Sequence, residues 1–240
     1  MDSSAPRTPS SRRAPPTERL RSGANTLRQK TLVKLREAIV TGRFKPDERL
    51  VERDVCAKTG VSRSSVREAL RLLEKDGLVT ILARRGAQVT KLTIPEVKEI
   101  FDIRAALNGL RDRDIAEDPR RHELLPAIEA TVKQLAVQAR DTARGDEYAE
   151  TVYRLNSLLN SATRSARLRS ILGALAQQTL RYSRLGLSSE QRRRQSVRHW
   201  QELVRAIRDG DGESAQRTAE RRVRDSRDAA IKKLEEAAGL

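Results

Sequence analysis

The stretch from Ser62 to Gly77 constrains this chain more than any other part of it. Ser62 is an N-cap residue, and Val66, Ala69, Leu70 and Leu73 follow at helical spacing until Gly77 ends the pattern. On the opposite face Arg63, Arg67 and Arg71 recur every four residues, with Ser64 beside them. Such a helix buries its apolar stripe against neighbours and keeps its basic face outward.

The neighbours are legible on both sides. Leu27, Leu32, Leu35, Ala38 and Ile39 repeat at helical spacing up to Gly42, and a turn-rich connector, Phe44 to Leu50, leads to a short helix, Glu52 to Thr59, closed by Gly60. Downstream, Leu78–Leu82 and Ala87–Thr90 are β-prone runs separated by Ala83-Arg84-Arg85-Gly86, a hairpin with a basic tip. Three helices and a hairpin over residues 25–91 make a winged helix-turn-helix. Its third helix fits a DNA major groove about 12 Å wide, and the wing reaches the backbone or minor groove.

The remaining chain reads as helices alone. Thr93 and Glu96 form a capping box, and helices are expected near 95–117, 122–144, 147–163, 167–185, 189–209 and 213–237, with Gly145, Gly186 and Gly210 as C-terminal caps. Aromatic residues are only 2% of the 240, so the core is built from Leu, Ile, Val and Ala, the palette of packed helices. The expected fold is therefore mainly α, with an N-terminal winged helix-turn-helix and a C-terminal all-α helical bundle over 92–240.

Charge points to a polyanionic partner. The formal net charge is +16, distributed as +3 over residues 1–24, +8 over 25–91 and +5 over 92–240. The first segment, with four prolines, reads as a disordered basic tail; its arginines either add phosphate contacts or do nothing. Single Cys56 forms no internal disulfide, and no secretory or membrane-spanning stretch is present, which gives an expectation of a cytoplasmic protein. There is no Gly-rich phosphate loop, no Cys with a partnered His and no carboxylate cluster, so an enzyme is not expected. A nonspecific architectural DNA-binding protein is the competing class.

Residues 60–79, GVSRSSVREALRLLEKDGLV, resemble the signature of GntR-type regulators, and GRFKPDERLVERDV, residues 42–55, is similar to that family's connector and second helix. Asp47 stands where the family usually has Gly, a departure expected to alter only the turn. Residues 93 to about 227 resemble, more weakly, the FCD version of the ligand-binding half in the FadR branch. The resemblance implies a homodimer that binds an operator in double-stranded DNA, most simply as a repressor, with a small effector in the helical domain changing DNA affinity. It carries DNA contacts onto Arg53, Arg63, Arg67 and Gly86. Ser62, Ser64 and Ser65 are suited to phosphate, Arg63 to guanine, and Arg85 to the minor groove. The other reading of the arginines is a solvated helix face, which the cap, the hairpin and the signature disfavour.

Many FCD domains hold a divalent metal with one Asp and three His. Alignment puts Val152, Asn156, Trp200 and Arg222 at those positions, and the chain has only two histidines, His122 and His199, so no metal and no cofactor is expected. His199 reads as a surface or partly buried residue. Arg104, Asn108, Asn156, Trp200 and Arg222 lie on inward faces. Two readings remain open: Arg104, Arg222 and Asn156 hold the carboxylate of a small organic acid directly, or Arg104 pairs with Asp102 or Glu99 and the cavity has filled in.

Overall fold

The computed structural model describes residues 29–83 and 85–239. The basic tail, Leu27 and Arg84 lie outside the described residues.

The first helix, α1, is described over 29–40 and buries Leu32, Leu35, Ala38 and Ile39. After it come β1 (Arg49–Leu50), α2 (Glu52–Thr59), α3 (Arg63–Lys75), β2 (Val79–Leu82) and β3 (Gly86–Val89). Ser62 caps α3 by accepting a hydrogen bond from the Ser65 N–H, and the helix buries Val66, Ala69, Leu70 and Leu73. Burial of each Val or Leu there contributes about 1.5–3 kcal/mol. Gly60 closes α2 in the left-handed conformation, at φ 69°.

The sheet has three antiparallel strands in the order β1-β3-β2, one more than the hairpin expected. The connector read as turn-rich ends in β1, which pairs Leu50 with Ala87. Gly86 is required at this junction: its φ is +86°, and a Cβ there would lie 2.4 Å from the Leu50 carbonyl oxygen. The wing is thus fastened to the strand that precedes the helix-turn-helix.

Asp47 explains the family's usual glycine. It is the non-glycine residue with positive φ among the described residues, at 63°, and its side chain pairs with Lys91 at 3.3 Å across exposed surface. The left-handed region disfavours side chains by roughly 1–2 kcal/mol, less for Asp than for most residues. Asp47→Ala is expected to lower stability by about 1 kcal/mol, and Asp47→Gly to leave it equal or higher, as read by urea unfolding. An equal loss in both variants would rule out backbone strain as the cause.

The helical half comprises α4 (Ile94–Glu117), α5 (Arg121–Gln138), α6 (Gly145–Ala162), α7 (Ala166–Gly186), α8 (Glu190–Asp209) and α9 (Gly212–Ala238). Both halves of the Thr93–Glu96 capping box are formed. The helix expected to run to 144 stops at Gln138; Asp141 then accepts from the Ala143 N–H and starts a single 3-10 turn, Thr142–Arg144. Of the three glycines expected as caps, only Gly210 is one, at φ 74°. Gly145 opens α6 in helical conformation, and Gly186 is the last residue of α7, where a Cβ would meet the Ser226 carbonyl of α9 at 2.4 Å. Close packing of two helices, not chain reversal, sets that glycine.

One core lies inside the winged domain, another among α4, α5, α6 and α8, and a third joins α4, α7 and α9 around Phe101, Tyr182 and Val223. Helix α7 also touches the winged domain, where Leu180 packs on its core, and the Tyr182 hydroxyl accepts at 2.9 Å from the N–H of Leu92, the residue just after that domain. No helix among the described residues is long and apolar enough to cross a membrane.

Candidate nucleic-acid interface and ligand cavity

The outward face of the winged domain is built from α2, the start of α3 and the hairpin. Arg49, Arg53, Arg63, Arg67, Arg71 and Arg85 line a cleft of about 520 Å³ in which Glu52 is the one acid. Arg63 and Arg71 make no hydrogen bond or ion pair to the described residues and point into solvent. Arg67 differs. Its guanidinium forks onto Glu52 of α2 at 2.9 and 2.8 Å, which holds the Glu52 carboxyl below the ordinary carboxylate range. The Ser62 hydroxyl bonds to those of Ser64 and Ser65, each at 3.0 Å, at the N-terminus of α3. Arg49, absent from the residues expected here, donates to the Arg85 carbonyl at 2.8 Å and so ties β1 to the tip of the wing.

Inside the helical half, α4, α6, α7, α8 and α9 enclose a cavity of about 50 Å³ lined by Phe101, Arg104, Val152, Asn156, Ser183, Arg192, Ser196, Arg222 and their neighbours. Arg104 is buried, lies over the Phe101 ring and donates to the Thr179 and Ser183 hydroxyls at 2.6 and 3.2 Å. Burial, reinforced by Arg111, pushes its pKa down to about 10. Arg222 stacks over Trp200 at 3.7 Å and lies 3.6 Å from Asp112, yet burial pushes its pKa down to about 9. Neither Asp102 nor Glu99 is the partner of Arg104; Asp102 pairs with Arg227.

Residues 27–89 match the gntR family of bacterial regulatory proteins, and residues 99–225 match the FCD domain. The chain belongs to the GntR family. It is a transcriptional regulator of that family with an FCD domain. An uncharacterized HTH-type transcriptional regulator of Bacillus subtilis, YdhC, is 40% identical over 111 residues, 45% of this chain and 50% of YdhC. The alignment thus spans half the length of that relative. A regulator in the TAR-I ttuE-ttuC' intergenic region of Agrobacterium vitis is 31% identical, covering 46% of this chain and 67% of its own. The gluconate operon transcriptional repressor of Bacillus subtilis is 41% identical over 30% of each chain. Among solved structures, McbR/YncC of E. coli aligns with TM-score 0.70 at 17% identity over 87% of this chain and 98% of its own. A GntR regulator of Rhodococcus sp. RHA1 gives 0.68 at 22% over 86% and 98%. These relatives are transcription regulators, not enzymes, and the two structures share the fold.

In this GntR regulator the positions aligned with the metal ligands fall together. Val152, Asn156 and Arg222 line the cavity, and Trp200 is fully buried beneath Arg222. Asn108 is buried outside the lining, donating to the Arg104 carbonyl at 2.7 Å, and Asn156 likewise donates to the Val152 carbonyl at 3.0 Å. Both amides answer to their own helix. His199 is buried rather than at the surface; burial, with Arg192 and Arg221 nearby, pushes its pKa down to about 4 although Asp225 is 3.5 Å away, so it is neutral at pH 7. Arg192 is the lining cation the residue pattern concealed. It shares the row of Ser196 and Trp200 at helical spacing, the signal that marks it as inward.

Proposed function

We propose that this chain is a sequence-specific operator-binding regulator, a repressor working as a homodimer, whose DNA affinity is set by a small organic acid held in the helical domain. The DNA-binding unit is residues 25–91 and the effector and dimerisation unit 92–240. The observation that carries the reading is the arginine-lined cleft between α3 and the wing, in which Arg63 makes no hydrogen bond or ion pair to any of the described residues. Arg63 reads guanine, Arg53 and the serine-bordered N-terminus of α3 hold phosphate, and Arg85 follows the minor groove. Arg67, forked by Glu52, orients α2 on α3 and offers its remaining N–H groups to the backbone. The repressor assignment is supported by the gluconate operon repressor, similar over the winged domain. A dimer pairs two such modules on a palindrome.

The effector site works without a metal. A cation would need donors, whereas Val152 has none, the Trp200 indole only donates, and Arg222 is itself cationic. A carboxylate suits Arg104 and Arg222. Helix α7 supports coupling to DNA, since Thr179 and Ser183 hold Arg104 while Leu180 packs on the core of the winged domain and Tyr182 holds Leu92, the residue that follows it. Selection of bound genomic fragments followed by competition tests the reading: a selected operator is expected to outcompete unrelated DNA by about 10³ or more. Equal competition would establish the architectural alternative instead.

A further inference from the structure

The cavity presents more positive charge than the protein neutralises. Arg104, Arg192 and Arg222 all line it, and they are 9%, 7% and 6% exposed. Arg104 has hydroxyl partners only, Thr179 and Ser183. Arg222 faces Asp112 at 3.6 Å, but Asp112 is already bonded at 2.6 Å by the buried Arg111. Arg192 donates to the backbone carbonyls of Asp225 and Arg222; the half-exposed Asp225 carboxylate accepts from Gln195 and lies beside His199. Arg184, the remaining lining cation, pairs with Glu150. Five arginines are buried among the described residues; Arg193, outside the lining, donates to the backbone carbonyls of Leu187, Ser188 and Asp141, and the other four, Arg104, Arg111, Arg192 and Arg222, share two acids, Asp112 and Asp225.

The unmet hydrogen-bonding capacity coincides with this surplus. Nε of Arg104, Nη1 of Arg192, and Nε and Nη2 of Arg222 are all buried without a hydrogen-bond acceptor. A buried donor left unpaired costs about 1–3 kcal/mol, more when charged, so an anion that reaches all three guanidiniums around this one small space is favoured.

We propose that the effector is a compact oxyanion carrying two negative charges, a short dicarboxylate or a phosphate, bound jointly by Arg104, Arg192 and Arg222. This rests on the effector reading above and adds its charge and size. Two charges match the surplus of cations over acids. Compactness follows from a cavity of about 50 Å³ with Phe101, Val152 and Leu180 in its wall. Bidentate guanidinium contacts suit either group, and the hydroxyls of Ser183 and Ser196 are at hand for remaining oxygens.

Calorimetric titration of the full chain in EDTA at fixed ionic strength tests the proposal, with malonate, succinate and inorganic phosphate compared against acetate and propionate. At least one of the three dianionic probes is expected to bind tenfold or more tightly than the monocarboxylates. Preference for malonate or succinate identifies a dicarboxylate site, and preference for phosphate a phosphate site. Arg192→Gln is expected to reduce the preference severalfold and Arg192→Lys, which keeps the charge but not the fork, to reduce it less, with folding of both checked by circular dichroism. Equal affinity for mono- and dianions in the unaltered protein overturns the two-charge proposal and leaves an organic-acid effector standing. Failure of every anion to bind protein that still binds its operator removes the effector reading as well.

Discussion

Asp112→Ala is expected to destabilise the helical half by about 3–5 kcal/mol. Asp112 is fully buried in α4, and its carboxylate accepts from Arg111 at 2.6 Å while facing Arg222 of α9 at 3.6 Å. Removing it leaves two buried guanidiniums without any buried counter-charge, and a loss of that size is a large share of the roughly 5–15 kcal/mol by which domains are stable. Asp112→Asn keeps an acceptor for Arg111 and is expected to cost less. Combining Asp112→Ala with Arg111→Met should recover part of the loss, because the second change removes one of the stranded charges. Urea unfolding followed by circular dichroism measures all three. A loss below about 1 kcal/mol for Asp112→Ala would mean that water reaches these arginines.

The second large effect concerns DNA. Arg63→Ala is expected to remove about 1–3 kcal/mol of discrimination, roughly 5- to 150-fold in preference for operator over unrelated sequence, since a fork onto guanine carries that much. Arg85→Ala is expected to weaken operator and unrelated DNA alike and to lower the salt slope by about one. The difference lies in position: Arg63 begins the helix that faces base edges, whereas Arg85 sits at the tip of the wing with its carbonyl held by Arg49. Gel shifts at two salt concentrations separate the two. Unchanged operator affinity in both variants would remove the cleft as the DNA surface.

Local pattern made the helices of both halves legible. The stripe of α3 and its serine cap appear as read, because burial of Val66, Ala69, Leu70 and Leu73 needs only a 3.6-residue period and one neighbour. Strand β1 has no period to read in two residues; it is a strand because β3 lies beside it, some forty positions later in the chain. The same distance hides why Gly86 must be glycine. In the cavity, the inward placement of Arg104 and Arg222 followed from spacing, but their partners did not. Thr179, Ser183 and Asp112 approach them from helices whose relative rotation no single-helix pattern specifies, and Arg192 looked like an ordinary charge at a helix start.

Helix α7 serves two masters within a single turn. Thr179 and Ser183 grip Arg104, and between them Leu180 bears on the winged domain and Tyr182 on Leu92, where the chain leaves it. These residues cannot be displaced independently, because an α-helix turns as a rod. The segment joining the two halves is therefore no swivel: a longer tether between Val89 and Thr93 would add slack without releasing the winged domain, since what fixes its heading is the side of a helix laid against it.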